Sequence, residues 1–579
     1  MKQSRLINNI VGGSYETDER FAGCAVSQNL FAESVEDASN GHYYTTALRS
    51  VEGERIVLED FVLKDTEGQG CRGVFTASDD SIFASFGDCI YRIRKNKANG
   101  SYHPQLIYTE PFPTIGRVVF CETGGINSHV CWVNGSSTVC AYPLSPEKAE
   151  GLGVSIPLMF STPLRQYKTA DEVMNDTNEH VAPRHICSLN GSLIIDDPKS
   201  DTWYYTDAYI LGGTSYTREI YDLDKDGNVQ YVKDSNYKVK TRTVKLTDFD
   251  PSSGTSYLWL DRYSKPNFNT AEYSADNITS MAVVGDRLAV FGSRSIQTYT
   301  QTISTDAQGF SSMVFSSTNS NVRDTGCTAV DSVEVVGGKA VFLGVSVSGE
   351  VAVMVSAGAE PSRISTNAIE REIEGIDVTD AFAFTYSGKG HQFYGITFPR
   401  IDKTFVYDFA TRQWHNRTTN DGKGHTHAWW ARYATACQGE VLVCGRGVGK
   451  VAVLDRSKYD DYLGNPIVKV RTAPVLTSDY SPFMVNDIML LWNNGTTKDV
   501  TNENGAQNPV VMLEVSRDGG NTFEGERWAY GGKTGQYGYR TIWYGIGAGN
   551  MFVFRFTISD RVNVVITGAK ISHTALSAF

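Results

Sequence analysis

One pattern recurs seven times along this chain: a short alternating strand, a glycine-containing turn, a second strand, another turn and a third strand. The turns carry Asn-Gly, Gly-Gly or Gly-Asp pairs, because glycine and asparagine tolerate the positive φ of tight hairpins. A lone three-stranded meander cannot bury both faces, whereas copies arranged around an axis cover one another's apolar faces. The pattern therefore predicts an all-β fold, a β-propeller with six or seven blades. The seven copies are residues 73–96, 117–144, 185–208, 278–302, 332–358, 381–418 and 434–461.

The repeat is interrupted twice and fades near its end, and the shorter interruption, residues 163–184, is polar and irregular. Residues 209–272 contain further strand-like stretches, and since unstructured loops of that length are uncommon, they indicate an inserted β-rich subdomain. A β-sandwich would also show short strands and turns, but it would not explain seven similar meanders. The predicted organisation is an N-terminal segment leading into the propeller (1–70), the first blades (71–208), the insert (209–272), the remaining blades (273–470) and a C-terminal β-rich domain (471–579).

The composition is that of a globular, β-rich chain. It has 30 Tyr, 27 Phe and 54 Gly but only 17 Pro in 579 residues, which favours strands and tight turns. The net charge of −12 argues against a protein that grips nucleic acid along its whole surface. The ten cysteines form no C-x-x-C pair, the start lacks a secretory h-region, and no apolar run is long enough for a membrane span. A cytosolic fold with cysteines as small buried hydrophobes is the expectation.

One hairpin sequence, residues 516–523, matches the Asp box of sialidase-type propellers, with phenylalanine in place of the final tryptophan. Its polar side chains can satisfy turn amides, so the motif stabilises a turn and carries no chemistry. The sialidase Arg-Ile-Pro triplet is absent, because none of Arg55-Ile56, Arg92-Ile93 and Arg363-Ile364 is followed by proline. The residues of the Asp box are Ser516, Asp518, Gly520, Thr522 and Phe523.

Three other motifs fail on their own chemistry. Residues 222–233 imitate an EF-hand loop, but Lys233 stands where a bidentate glutamate is needed. Residues 444–451 resemble a phosphate loop, yet they lack two of its required residues and join two strands rather than a strand and a helix. His425 and His427 form a minimal pair without a third metal ligand. The sequence therefore assigns no catalytic, cofactor-binding or metal-binding residue.

One segment, residues 390–417, strongly resembles the packaged-DNA stabilisation proteins of short-tailed bacteriophages, also described as tail hub or nozzle proteins. The similarity continues in order at 12–34, 70–77, 361–373, 457–467 and 553–569, so it covers most of the chain. The insert at 209–272 has no recognised counterpart. The family-motif residues are Gly390, His391, Phe393, Tyr394, Thr397, Phe398, Pro399, Tyr407, Asp408, Trp414, His415 and Arg417.

The resemblance implies a structural virion protein rather than an enzyme, with no cofactor. It implies a homo-hexameric ring in the virion tail, assembled in the host cytoplasm, beneath a portal or adaptor protein. A needle or plug would close the channel, with tail fibres or spikes as further partners, and double-stranded DNA would pass without sequence-specific binding. The net charge suggests an acidic or neutral lumen, because bound cations would add friction to moving DNA.

Two other functions remain open from the residues alone. One is a carbohydrate-active, sialidase-like propeller that acts on a host surface glycan. The other is a generic propeller adaptor that binds a protein on one face.

Overall fold

Antiparallel strands make up nearly all the regular structure of the computed structural model, which divides into two units. Unit 1 contains Met1–Glu59, Ile364–Val443 and Val451–Phe579, and unit 2 contains Asp60–Arg363 and Cys444–Lys450. The structure describes residues 2–17, 20, 23–36, 43–58, 70–110, 116–124, 128–144, 158–163, 180–206, 216–221, 241–246, 267–271, 276–305, 311–323, 325–345, 349–358, 360–445, 449–495 and 508–576.

Six strands lie in the first 56 residues, all of them in unit 1. The strands are β1 (Lys2–Leu6), β2 (Tyr15–Glu16), β3 (Cys24–Gln28), β4 (Leu30–Glu36), β5 (Tyr43–Ser50) and β6 (Gly53–Ile56). β2 pairs with β3 and β4 with β5, whereas β1, β3, β5 and β6 also pair with strands far along the chain.

Unit 2 contains five successive antiparallel meanders and one separate hairpin. The first meander is β7 (Cys71–Thr76), β8 (Ile82–Phe86), β9 (Cys89–Lys95) and β10 (Tyr102–Thr109), and the second is β11 (Val119–Glu122), β12 (His129–Val133), β13 (Thr138–Pro143) and β14 (Leu158–Ser161). The third is β15 (Ile186–Leu189), β16 (Ser192–Asp196), β17 (Thr202–Tyr205) and β20 (Asn267–Thr270), with the hairpin β18 (Tyr216–Tyr221) and β19 (Thr241–Leu246) preceding its last strand.

The remaining two meanders of unit 2 follow the same order. The fourth is β21 (Ile278–Val284), β22 (Arg287–Gly292), β23 (Ile296–Thr305) and β24 (Ser311–Arg323). The fifth is β25 (Gly326–Cys327), β26 (Glu334–Val336), β27 (Lys339–Val345), β28 (Val351–Ser356) and β29 (Ser362–Arg363), with a 3-10 turn at Val330–Ser332.

The core of unit 2 lies between consecutive meanders. Phe83 of the first packs with Trp132 of the second, and Val133 of the second packs with Tyr204 of the third. Trp203 of the third then packs with Val290 of the fourth, and further clusters join the fourth to the fifth. Each inner meander therefore buries both faces, which is why its central strands read as nearly continuous apolar runs. All ten cysteines of the chain are free thiols and nine are buried, as the sequence predicts.

The second half of unit 1 carries one short helix, α1 (Asn367–Ile373), capped by the Thr366 side chain, and a 3-10 turn at Pro399–Ile401. Seventeen strands make up the rest of the regular structure described in residues 364–579. They are β30 (Phe382–Gly388), β31 (His391–Phe398), β32 (Lys403–Asp408), β33 (Gln413–Asn416), β34 (Thr418–Asn420), β35 (Thr426–Ala428), β36 (Ala431–Cys437), β37 (Glu440–Gly445), β38 (Val451–Asp455), β39 (Lys469–Thr472), β40 (Leu476–Thr477), β41 (Phe483–Trp492), β42 (Val510–Ser516), β43 (Glu524–Tyr530), β44 (Thr541–Gly549), β45 (Met551–Ile558) and β46 (Val565–Ala575).

Two more meanders belong to this half. Strands β30 to β33 form one, and β36 to β38 form the other, completed by the N-terminal strand β6. β6 pairs antiparallel with β38, with Ile56 opposite Ala452. Each of the seven copies recognised in the sequence thus contains at least three successive strands of one sheet, in whole or in part, which confirms the repeated unit.

The C-terminal strands form a sandwich that the N-terminus helps to build. One sheet continues through β3, β39, β45, β42 and β43, and the other has the order β4-β5-β46-β41-β44, with β1 beside β46. Their inner faces share one large core, in which Leu30 and Leu48 from the N-terminal strands meet Phe554 and Ile566. Residues near the two ends of the chain therefore form one hydrophobic layer.

Candidate functional site

The family-motif residues lie on one meander, β30 to β33, and most of them point inward. Ten of the twelve are buried, whereas Gly390 is exposed and Pro399 is half-buried. Gly390 follows Lys389 in the turn between β30 and β31, and both have positive φ, 86° and 54°. Thr397 bonds Thr404 across the sheet at 2.9 Å, and Trp414 donates its indole N–H to the Ile364 carbonyl at 2.8 Å. The motif therefore encodes packing and internal hydrogen bonds.

His391 and Asp408 form a buried pair at one end of this meander. His391 Nδ1 lies 2.8 Å from Asp408 Oδ2, and Asp408 also accepts bonds from the Ala410 amide and the Thr411 hydroxyl. The hydrogen bond to Asp408 raises the pKa of His391 against the opposing effect of burial. The pair thus fixes the turn that joins β32 and β33.

The N-terminal strand β4 packs against this pair. The Phe31 ring meets His391 edge-on with centroids 5.1 Å apart, and Glu33 Oε1 lies 3.9 Å from His391 Nε2. A recess of about 440 Å³ opens here, lined by Glu33, Ser34, Lys389, Gly390, His391 and Arg412, among others. Glu33 is paired with Arg49, and Lys389 with Glu52 at 3.1 Å. The charged side chains of Glu33 and Lys389 in this recess are thus held in ion pairs within the protein, which join neighbouring segments.

Arg417, the last residue of the motif, lies at the centre of a second group of buried polar and aromatic side chains, separate from the His391–Asp408 pair. Its side chain is 1% exposed, and its guanidinium lies 3.8 Å from the centroid of the Trp429 ring. It donates to the Tyr386 hydroxyl at 2.9 Å and to the Glu52 carbonyl at 3.4 Å. Burial raises the pKa of Tyr386 to about 12, so the phenol stays neutral beside this cation.

Glu54 on β6 ties three segments together from within the core. Trp429 Nε1 donates to Oε1 at 2.6 Å, while Trp430 Nε1 and the Tyr462 amide, the latter at 2.8 Å, donate to Oε2. Burial raises the pKa of Glu54 to about 7, and the nearby Asp461 carboxylate adds to the shift while Arg417 opposes it. Sequence reasoning missed this group. The adjacent pair Trp429-Trp430 was the available signal, but nothing local points to a carboxylate 375 residues away.

The Asp-box residues build a tight turn after β42. The Ser516 hydroxyl donates to Asp518 at 2.7 Å and accepts the Gly520 amide at 2.8 Å, and Thr522 donates to Asp518 through both its amide and its hydroxyl. These bonds, led by the Thr522 hydroxyl, lower the pKa of Asp518. The Phe523 ring stacks under the Arg555 guanidinium at 3.5 Å. The Asp518 carboxylate is thus held by the turn's own donors.

The phosphate-loop-like segment and the histidine pair form no binding site among the described residues. The segment 444–451 runs from the end of β37 to the start of β38, so it joins two strands as expected. His425 pairs with Asp421 and His427 with Asp402, each separately. Throughout the part of the chain that the structure describes, no three His, Cys, Asp or Glu side chains are grouped as metal ligands. The EF-hand-like residues 222–233 lie outside the described residues.

No helix among the described residues is both long enough and apolar enough to cross a membrane.

Similarity to solved structures is weak. A computationally designed protein, Ika8, aligns with a TM-score of 0.30 and 10% identity, over 72% of this chain and 94% of its own. The dihydro-heme d1 dehydrogenase NirN aligns with a TM-score of 0.33 and 10% identity, over 77% of this chain and 76% of its own. Similarity at this level carries no functional information. No curated protein matches the chain.

Two family models match in succession. The one described as "Bacteriophage P22 Gp10, beta-propeller" covers residues 200–459, and the one described as "Bacteriophage P22 Gp10, beta-sandwich" covers residues 469–574. These matches identify the repeated meanders as a β-propeller and the C-terminal strands as a β-sandwich. The chain therefore belongs to the bacteriophage P22 Gp10 family, structural virion proteins that stabilise packaged DNA.

Proposed function

We propose that this protein is a tail hub or nozzle subunit that extends the DNA channel below the portal or adaptor and helps to retain the packaged genome. The observation that carries the proposal is the succession of two domain matches to one phage family, propeller then sandwich, on a single chain. In this role six copies form a ring, a needle or plug closes its far end, and tail fibres or spikes attach nearby.

The internal contacts of the motif meander support a mechanical role. The buried polar side chains of Arg417, Glu54 and Asp408 are hydrogen-bonded to neighbouring side chains or amides. Buried polar networks of this kind rigidify a fold and specify one packing. Retention of DNA under internal pressure needs a stiff wall and a closed end, and neither requirement involves a chemical step.

The net charge of −12 suits a channel through which DNA must slide. A lumen rich in lysine and arginine would bind successive phosphates and release counterions at each contact, which slows movement. We therefore infer an acidic or neutral lumen. A map of the assembled ring in which Lys and Arg dominate the inner wall would refute this inference.

The test uses phage particles assembled with and without the protein. Cells infected by phage that lack this gene are supplied with the wild-type protein or an empty plasmid, and nuclease-protected DNA per capsid is measured over time. We expect capsids to fill in both cases but to lose their DNA without the protein. Electron microscopy of complemented particles should then show a six-fold ring between the portal and the tail tip.

Two outcomes would contradict the proposal. Capsids that keep their DNA without the protein would exclude retention. Full particles that fail only on hosts with an intact surface polysaccharide would instead support the carbohydrate-directed function.

A further inference from the structure

The sandwich exposes an unusual density of aromatic side chains where the chain passes from β43 to β44. We name residues 528–544 the aromatic crossover, because β43 and β44 belong to different sheets of the sandwich. Large exposed apolar surfaces on soluble proteins usually mark binding sites, and five exposed rings within seventeen residues of chain point to such a site. The exposed rings are Trp528 (60%), Tyr530 (57%), Tyr537 (73%), Tyr539 (39%) and Tyr544 (71%).

The aromatic crossover has a fixed backbone. The Gly531 amide donates to the Pro509 carbonyl at 2.6 Å, and the Gly535 amide donates to the Gly495 carbonyl at 2.9 Å. Gly532 has a φ of 90°, and a Cβ there would lie 2.7 Å from the Tyr539 Cβ, so only glycine fits. A surface held in this way loses little conformational entropy when a partner binds.

Hydrogen bonds between β43 and β44 hold the two ends of the aromatic crossover. The Trp543 indole donates to the Arg527 carbonyl at 3.0 Å, and Arg527 donates back to the Gly545 carbonyl at 2.9 Å. The Thr541 hydroxyl donates to the Tyr530 carbonyl at 3.1 Å. On the described part of the chain, β43 pairs with another strand only on its β42 side.

The charge of the aromatic crossover is opposite to that of the whole chain. It contains Lys533 and Arg540 but no Asp or Glu, whereas the protein carries a net charge of −12. Both cations are exposed, and neither forms an ion pair with any residue that the structure describes. The rest of the chain therefore carries an excess of acidic side chains, which is opposite in charge to the aromatic crossover.

We propose that the aromatic crossover is the surface through which one copy of this protein contacts a different, acidic surface of a second copy. A two-fold contact would place Lys533 and Arg540 against their own equivalents, which like-charge repulsion disfavours. A contact between two different surfaces is heterologous, and repeated heterologous contacts form a ring when the rotation between successive copies closes. The inference rests on the ring of the proposed function and adds the surface that builds it.

The side chains present are those that dominate interface energetics. Tyr, Trp and Arg are enriched among the few residues that carry most of the binding free energy. A whole aromatic side chain buries about 150–250 Å², and the exposed parts of these five rings would contribute to the ~800 Å² per partner in a standard interface.

The test measures self-association of the full-length protein by sedimentation velocity and native mass spectrometry at low and high salt. One double variant, Tyr537→Ser/Tyr544→Ser, removes two rings, and a second, Lys533→Glu/Arg540→Glu, reverses the charge. The matched control is Tyr480→Ser, since Tyr480 is 58% exposed in the same unit but lies outside the aromatic crossover. Circular dichroism and melting temperature verify that each variant is folded.

We expect wild type and the control to form the same closed ring. Each double variant should have a dissociation constant raised by roughly 30-fold or more. Salt should weaken the wild-type contact and should weaken the contact of the ring-removal variant as well.

Several results would overturn the inference. If wild type forms a ring and the double variants form it equally well, this surface is wrong while the proposed function stands. If wild type stays monomeric at every concentration, both the ring and this surface are wrong. If the variants assemble normally but lose affinity for added duplex DNA or host polysaccharide, the aromatic crossover serves that ligand and not a second copy.

Discussion

At the scale of single residues, the carboxyl group of Glu54 joins three segments of the chain. It lies on β6 and accepts hydrogen bonds from the Trp429-Trp430 pair and from the turn at Tyr462. Its pKa in the folded protein is about 7, raised by burial from 4.5. A raised carboxylate pKa means that the folded state holds the proton more tightly. Its contribution to stability is therefore complete below pH 4.5 and is lost as pH rises to about 7.

We expect the free energy of unfolding of wild type to fall by up to about 3 kcal/mol across that window through this group. Glu54→Gln, which cannot ionise, should remove most of that slope even though its amide is a poorer acceptor for two indoles. Urea unfolding followed by tryptophan fluorescence at pH 5, 6, 7 and 8 measures the pH dependence of the free energy of unfolding for both proteins. Parallel pH profiles for wild type and the variant would show that Glu54 does not titrate there.

The buried site of Arg417 requires arginine and not only a positive charge. A lysine in its place keeps the charge but cannot reach Tyr386 and Glu52 while stacking on Trp429. We expect Arg417→Lys to lower the free energy of unfolding by about 2–4 kcal/mol, since a buried charge loses its partners.

Arg400→Lys is the matched control for that change. Arg400 is 51% exposed, and its pairs with Asp377 and Asp380 lie on the surface. Surface pairs contribute about 0–1 kcal/mol, so this variant should unfold almost as wild type does. Equal losses in the two variants, compared by thermal and urea unfolding, would contradict the role assigned to Arg417.

At the scale of elements, the N-terminal strands complete two sheet structures whose other strands come from much later in the chain. β6 completes the last meander, and β1, β3, β4 and β5 complete the sandwich. A fragment of residues 469–579 keeps the strands of the sandwich family match but lacks Leu30 and Leu48 of its core. We expect this fragment alone to lack cooperative unfolding, and the addition of a peptide of residues 1–58 to restore it.

Near-ultraviolet circular dichroism and limited proteolysis of the fragment, with and without the peptide, make the measurement. A scrambled peptide of the same composition is the control. A fragment that unfolds cooperatively by itself, at a midpoint that the peptide does not change, would show that the N-terminal strands are dispensable.

The same elements mark what the sequence can and cannot reveal. The meanders were predictable because strand alternation and turn glycines are local signals, as at residues 73–96 and 332–358. The pairing of Gly53–Ile56 with Val451–Asp455 was not, because no local pattern specifies which distant edge a short strand will join. The motif at 390–417 was visible as a family signature, but its partners Phe31 and Glu33 lie on the N-terminal strand β4, which only the fold brings near.

At the scale of the whole molecule, the net charge leads to a prediction about the proposed passage of DNA. A protein that holds duplex DNA non-specifically has a dissociation constant of about 10⁻⁴–10⁻⁶ M at physiological salt, with a steep loss of affinity as salt rises. A wall past which DNA slides should bind more weakly than that range. With a net charge of −12, we expect duplex binding weaker than about 10⁻⁴ M and a shallow salt dependence.

Fluorescence anisotropy of a labelled 30-base-pair duplex, titrated with the purified protein at several salt concentrations, measures both quantities. The cationic aromatic crossover is the one surface argued above that could attract phosphates, so Lys533→Glu/Arg540→Glu is the informative variant. Micromolar binding that this variant leaves intact would mean that the DNA-facing wall itself is cationic, and retention would then depend on electrostatic grip. Weak binding in both proteins would support the proposal that another protein retains the genome by closing the channel.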